Sequence, residues 1–211
     1  MDNINYLALI KYQHKIIIGK QLLAVLILFL LLPLIASFQG IDLYEAASIT
    51  QNYVSIIGLL LIGTVNFTES GQSFSQLLRS KPVSITKILL LRVGLSIFYT
   101  ALIMFSWVMF LKHFNALISV PLFTIAGFSS ALLWGGIAGS IAVTTRSTYS
   151  GLLIALAIYI YVVFGMSCRV WYYPLALIVS PMMLKLITVI IIFVGLIVLF
   201  SALIIDYWLR K

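Results

Sequence analysis

From Leu186 to Ile205, twenty consecutive residues pass without a charged side chain. About 20 apolar residues are what a helix needs to cross a hydrocarbon core about 30 Å thick. In water, such a segment would have to be covered on every side, and this chain has little with which to cover it. Of its 211 residues, 63% are hydrophobic and 9% charged, whereas soluble domains average about 25% charged. A globule must still show a surface to water, so the chain reads as an integral membrane protein. The apolar runs are long and unbroken, without the alternation of the roughly ten-residue strands of a membrane barrel. The expected fold class is therefore all-α.

Six segments have the length and apolarity to cross, at about 22–38, 46–68, 88–111, 117–144, 149–167 and 184–206, in one transmembrane domain over 1–211. In lipid every backbone polar group must be satisfied within its element, which makes each span a helix. The cations set the orientation. With the N-terminus in the cytosol, Lys11, Lys15, Lys20, Arg79, Lys81, Lys87, Arg92, Arg146, Arg210 and Lys211 lie inside. Lys112, Arg169 and Lys185 lie outside, and the first outer loop carries Asp42 and Glu45. This bias places both termini in the cytosol of a cell membrane, expected to be a bacterial plasma membrane.

Residues 2–20 are too polar to cross, but Ile4, Leu7 and Ala8 share one helical face, as in a helix lying flat in the interface. The first apolar run ends in Ile35-Ala36-Ser37, a poor cleavage site, and reads as a retained span. Before the last span, Cys168 to Met183 is apolar but broken by Pro174 and Pro181. Two prolines oppose a straight helix, and Trp171, Tyr172 and Tyr173 suit the head-group level, so a re-entrant or surface hairpin is expected.

Several function classes lack their residues. The formal charge of +8 sits beside the spans, where topology and anionic lipid account for it without nucleic acid. Cys168 is the single cysteine, so thiolates cannot build a metal cluster. His14 and His113 have no partner at metal-ligand spacing, and no serine has a histidine base or an embedded lysine. Arg92, Lys185 and Asp206 fall near span ends, where they can snorkel, so no mid-span charge marks a coupled carrier. The pattern G-x-x-x-x-G-K-[ST] is missing, so any ATP-driven work draws on another polypeptide. The chain is not expected to be an enzyme or to hold a cofactor or metal. Gly135, Gly136, Gly139 and Ser140 supply the small-residue spacing that lets helices approach closely.

The polar insert Glu69–Lys87, between the second and third spans, is the exception to the oily pattern. Phe74, Leu77 and Leu78 fall at i, i+3 and i+4, a short apolar stripe on one helical turn. Pro82 then ends the turn, because the residue before proline is pushed out of helical geometry. A small one-striped helix on a cytosolic loop is shaped for a groove on a partner. The stretch "LLRSKPVSITKILLLR" (Leu77 to Arg92) resembles the segment that opens the third span in ABC-type-2 transporter permeases. "AGSIAVTTRSTYSGLLIAL" (Ala138 to Leu156) is similar to that family's tight cytosolic turn between spans four and five.

The resemblance implies a coupling helix at about 71–81 that docks a nucleotide-binding subunit through Glu69, Phe74, Leu77, Leu78, Arg79, Lys81 and Pro82. It implies ATP and Mg on that partner, a second permease subunit in a homo- or heterodimer, and membrane lipids around both. Family members line their route with spans two and five, which makes Asn52, Ser55, Tyr159 and Tyr161 candidate lining groups. The expected activity is export of a hydrophobic or amphiphilic molecule such as an antimicrobial peptide, drug or lipid-like compound. The alternatives are a non-transporting scaffold or assembly subunit and, further off, a secondary carrier.

Overall fold

A computed structural model describes residues 21–29, 31, 41–64, 85–114, 118–165 and 184–209. The expected interfacial helix at 2–20, the insert from Glu69 to Pro82 and the hairpin before the last span lie outside the described residues. Within them, every regular element is helical. Helix α1 occupies 21–29. The expected second span is composite: α2 (Leu43–Ser48), a π turn (Ile49–Tyr53), a 3-10 turn (Val54–Ile56) and α3 (Ile57–Leu61). Then come α4 (Ile85–His113), α5 (Val120–Thr145), α6 (Thr148–Ile160) with a π turn at Tyr161–Gly165, and α7 (Leu184–Leu209).

Among the described residues, four helical segments are long and apolar enough to cross a membrane: Ile88–His113, Val120–Thr145, Thr148–Gly165 and Thr188–Ile205. Large apolar side chains point outward along them, among them Phe98 on α4, Leu153 on α6 and Phe193 and Ile197 on α7. A soluble monomer rarely exposes contiguous apolar surface of this kind, whereas lipid requires it.

Helix α5 is the centre. Some 61% of its membrane window is buried by the rest of the chain, against 22–39% for the other three. Its composition explains this. Gly127, Gly135, Gly136, Gly139, Ala126, Ala131, Ala138, Ala142, Ser129 and Ser130 are all buried along it. Lipid tails are as apolar as leucine, so helices associate through close packing, and small residues permit it. A Cβ on Gly135 would lie 2.5 Å from Ile62 Cβ and 2.7 Å from Gly58 O, and one on Gly136 3.1 Å from Gly195 O. Gly135 thus meets the second span and Gly136 meets α7. Ser140 adds a polar tie, its hydroxyl donating to Val198 O of α7 at 3.0 Å and to Gly136 O at 2.9 Å.

Two residues join α5 to α6. Arg146 takes the left-handed conformation (φ 53°) that ends α5, and the Ser147 hydroxyl accepts from Ser150 N at 3.3 Å to cap α6. Arg92 departs from the expectation of a snorkelling head group, being 3% exposed. Helix α4 begins at Ile85 rather than near 88, and its early turns are packed, with Ile88, Leu89 and Val93 buried beside Arg92.

Candidate functional site

The second span starts as an ordinary helix. Asp42 caps it, Oδ1 accepting from Glu45 N at 2.7 Å. Within two turns the sequence Thr50-Gln51-Asn52 puts three polar side chains in a row where lipid offers no hydrogen bonds. Two of them turn inward. Thr50 and Gln51 are completely buried. The Gln51 amide donates to Ser130 Oγ on α5 at 3.2 Å, and the Trp107 indole N–H on α4 donates to Thr50 Oγ1 at 3.3 Å. Thr50 also returns its hydroxyl to Ala46 O at 2.7 Å, and Ser55 donates to Gln51 O at 2.5 Å. Such back-bonds to the preceding turn loosen and bend helices.

The distortion has a location and a cause. To turn both Thr50 and Gln51 toward the protein, the chain widens into the π turn Ile49–Tyr53, then tightens into the 3-10 turn Val54–Ile56. π turns of this kind are rare and are found disproportionately at functional sites. Beyond them the span returns to α geometry, and Gly58 sits directly against the Ala131 backbone of α5.

A pocket of about 170 Å³ opens beside this distorted segment. Leu28 and Leu31 form one side, Asn52, Tyr53 and Ile56 the second, and Tyr159, Val163 and Phe164 the third. Two π turns therefore face one cavity: Asn52 and Tyr53 belong to the first, Val163 and Phe164 to the second. Asn52 Nδ2 donates to Ser48 Oγ at 3.1 Å, while its buried Oδ1 has no partner among the described residues. Tyr159 is 5% exposed and meets the Trp134 ring edge-on at 5.3 Å. Phe29 packs edge-on to Trp107 at 5.4 Å, which holds α1 against the same cluster.

The residues expected from the sequence fall into four groups. Asn52 and Tyr159 line the pocket together. Ser55 is fully buried in its bond to Gln51 O, and Tyr161 is 66% exposed on the outer surface. Gly135, Gly136, Gly139 and Ser140 lie at helix contacts rather than at the pocket. The docking set Glu69, Phe74, Leu77, Leu78, Arg79, Lys81 and Pro82 lies outside the described residues. Sequence reasoning missed Thr50, Gln51, Trp107 and Ser130. The signal was present in the uninterrupted Thr50-Gln51-Asn52 run within an apolar span, because polar side chains in lipid must find partners inside the protein. Among the described residues no three His, Cys, Asp or Glu side chains gather as a metal site would need.

No protein-family model, curated protein or solved structure matches this chain.

Proposed function

We propose that this chain is the permease subunit of an ATP-driven transporter of the ABC type-2 kind, moving a hydrophobic or amphiphilic molecule. In this reading the chain has six spans, a flat N-terminal helix, a cytosolic coupling helix at about 71–81 and a hairpin before the last span. ATP and Mg act on a separate nucleotide-binding subunit, and a second permease subunit completes the pathway. Phe74, Leu77 and Leu78 are the apolar anchor of the docking helix, with Arg79 and Lys81 steering toward acidic partner side chains.

The observation that carries the reading is the pocket between the second span and the end of the fifth. The two spans that the sequence resemblance assigns to the route form two sides of this cavity, with Leu28 and Leu31 of α1 on the remaining side, and both depart from α geometry beside it. Apart from Asn52, its walls are leucine, isoleucine, valine and aromatic rings, which suits an apolar group better than an ion or a sugar. A secondary carrier would need ionisable groups deep in the spans to couple its driving ion. The groups facing this pocket are uncharged.

The decisive experiment is co-purification. The chain carries an affinity tag, and the ATPase activity that comes with it from detergent-solubilised membranes is measured. The wild-type chain should bring down a polypeptide with a phosphate-binding loop, and Leu77→Asp with Leu78→Asp should release it while membrane insertion is kept. An unchanged complex in that double variant refutes the docking role, and the absence of any ATPase partner refutes the transporter class.

A further inference from the structure

The π turn at Ile49–Tyr53 and the 3-10 turn at Val54–Ile56 are opposite errors placed back to back. A π turn holds about 4.4 residues and a 3-10 turn about 3.0, against 3.6 in an α-helix. Five residues of the first and three of the second make about 2.1 turns, where eight α residues make about 2.2. The rotation withheld by the wide turn is returned by the tight one. Helices α2 and α3 therefore stand within about 30° of the register they would have in one unbroken helix.

Between those ends the register differs greatly. In straight α geometry Tyr53 would be rotated by about 90° and Asn52 by about 70°, and Gln51 would arrive within about 30° of the direction Asn52 now occupies. Asn52 and Tyr53 are pocket wall, and Gln51 is buried against Ser130. We infer that residues Ile49–Ile56 form a two-state wall of the pocket, which straightens with its ends turned by no more than about 30° relative to each other and exchanges Asn52 for Gln51 at the cavity.

The energetics permit both states. Two long bonds to neighbouring helices help to hold the present form, Gln51 to Ser130 at 3.2 Å and Trp107 to Thr50 at 3.3 Å. Against them stands the buried Asn52 Oδ1, without a partner among the described residues. Straightening gives up the first pair and releases the Asn52 group. The flanks are packed: Gly58 lies on the Ala131 backbone, and Ala46 and Ala47 of α2 are buried. A segment with fixed ends and a rotatable middle changes the shape of a pocket without separating its helices. The inference stands apart from the transport reading, because it needs neither an ATPase nor a substrate.

Thiol labelling of the full chain in native membranes tests it. In a Cys168→Ser background, Gln51→Cys, Asn52→Cys and Ser129→Cys are each reacted with N-ethylmaleimide. Ser129 is fully buried on α5 and is not a wall residue, so it reports general loosening. The Asn52→Cys chain should label fastest. The Gln51→Cys chain should label more slowly, yet at least about tenfold faster than Ser129→Cys. Adding Thr50→Val removes the acceptor of the Trp107 N–H and should speed labelling at position 51 about fivefold, the worth of one net hydrogen bond, with position 129 unchanged. Labelling at 51 as slow as at 129, with or without Thr50→Val, overturns the inference. Equal acceleration at both positions also overturns it, because that reports loosening of the whole bundle.

Discussion

Replacing Gly58 by alanine should separate two helices with a single methyl group. The added carbon would fall on the Ala131 carbonyl, 2.5 Å from its carbon and 2.7 Å from the Ala131 Cα. Ordinary carbon contacts are about 3.5–4.0 Å, so the backbones must move apart by about 1 Å. A backbone carbonyl inside an α-helix has no rotamer with which to escape. Overpacking typically costs about 1–3 kcal/mol, and this case belongs at the upper end because relaxation also opens the neighbouring Gly135–Ile62 contact. Alanine recovers about 1 kcal/mol of helix propensity. The net expectation is a loss of about 2 kcal/mol, or roughly thirtyfold in the folded-to-unfolded ratio. Gly94→Ala is the matched control, since a Cβ there meets nothing within 4 Å. It should be neutral or stabilising by up to about 1 kcal/mol. Unfolding of the purified chain by SDS in mixed micelles, followed by circular dichroism, compares the two. If Gly58→Ala unfolds at the same SDS fraction as Gly94→Ala, the packing of the second span on α5 is not as described.

Other positions give independent checks. Ser140→Ala removes the bond to Val198 O and should cost about 0.6 kcal/mol in the same assay, the average for interhelical hydrogen bonds in membranes. A double-mutant cycle of Thr50→Val and Trp107→Phe should return a coupling of about 0.5–1 kcal/mol, and zero coupling would mean that the 3.3 Å contact does not hold the distorted turn. Arg146→Gly should leave stability unchanged or raise it by about 1 kcal/mol, since the left-handed conformation costs an L-residue and not glycine. A clear loss would show that the arginine side chain stabilises the α5–α6 turn by its own contacts.

The Ser129, Ser130 and Thr100 hydroxyls show why part of the site was not legible in the sequence. Each looks like an ordinary tolerated polar residue in a span, and Ser129 and Thr100 do no more than bond to carbonyls on their own helix. Ser130 differs only because the second span brings Gln51 to it across 79 residues. No periodicity in either segment encodes that meeting. Asn52 and Tyr159 were named in advance from a family resemblance, whereas their position on one wall-lined cavity follows from helix packing. The π turns were not legible at all, because they are a compromise between local α geometry and distant partners.

The sequence by itself determined the solvent and the secondary structure. With 9% charged residues and apolar runs of membrane length, the chain must be helical in lipid, because only helices and closed barrels satisfy the backbone there and these runs lack the alternation of barrel strands. It also set the small-residue spacing of Gly135, Gly136, Gly139 and Ser140 that lets helices approach closely. Only the tertiary structure decided which of those small residues meets which neighbour, where the expected second span widens, and that two π turns line one pocket. Apolarity is a property of each residue and can be summed along a chain. The partner of a buried amide depends on where every other helix comes to rest.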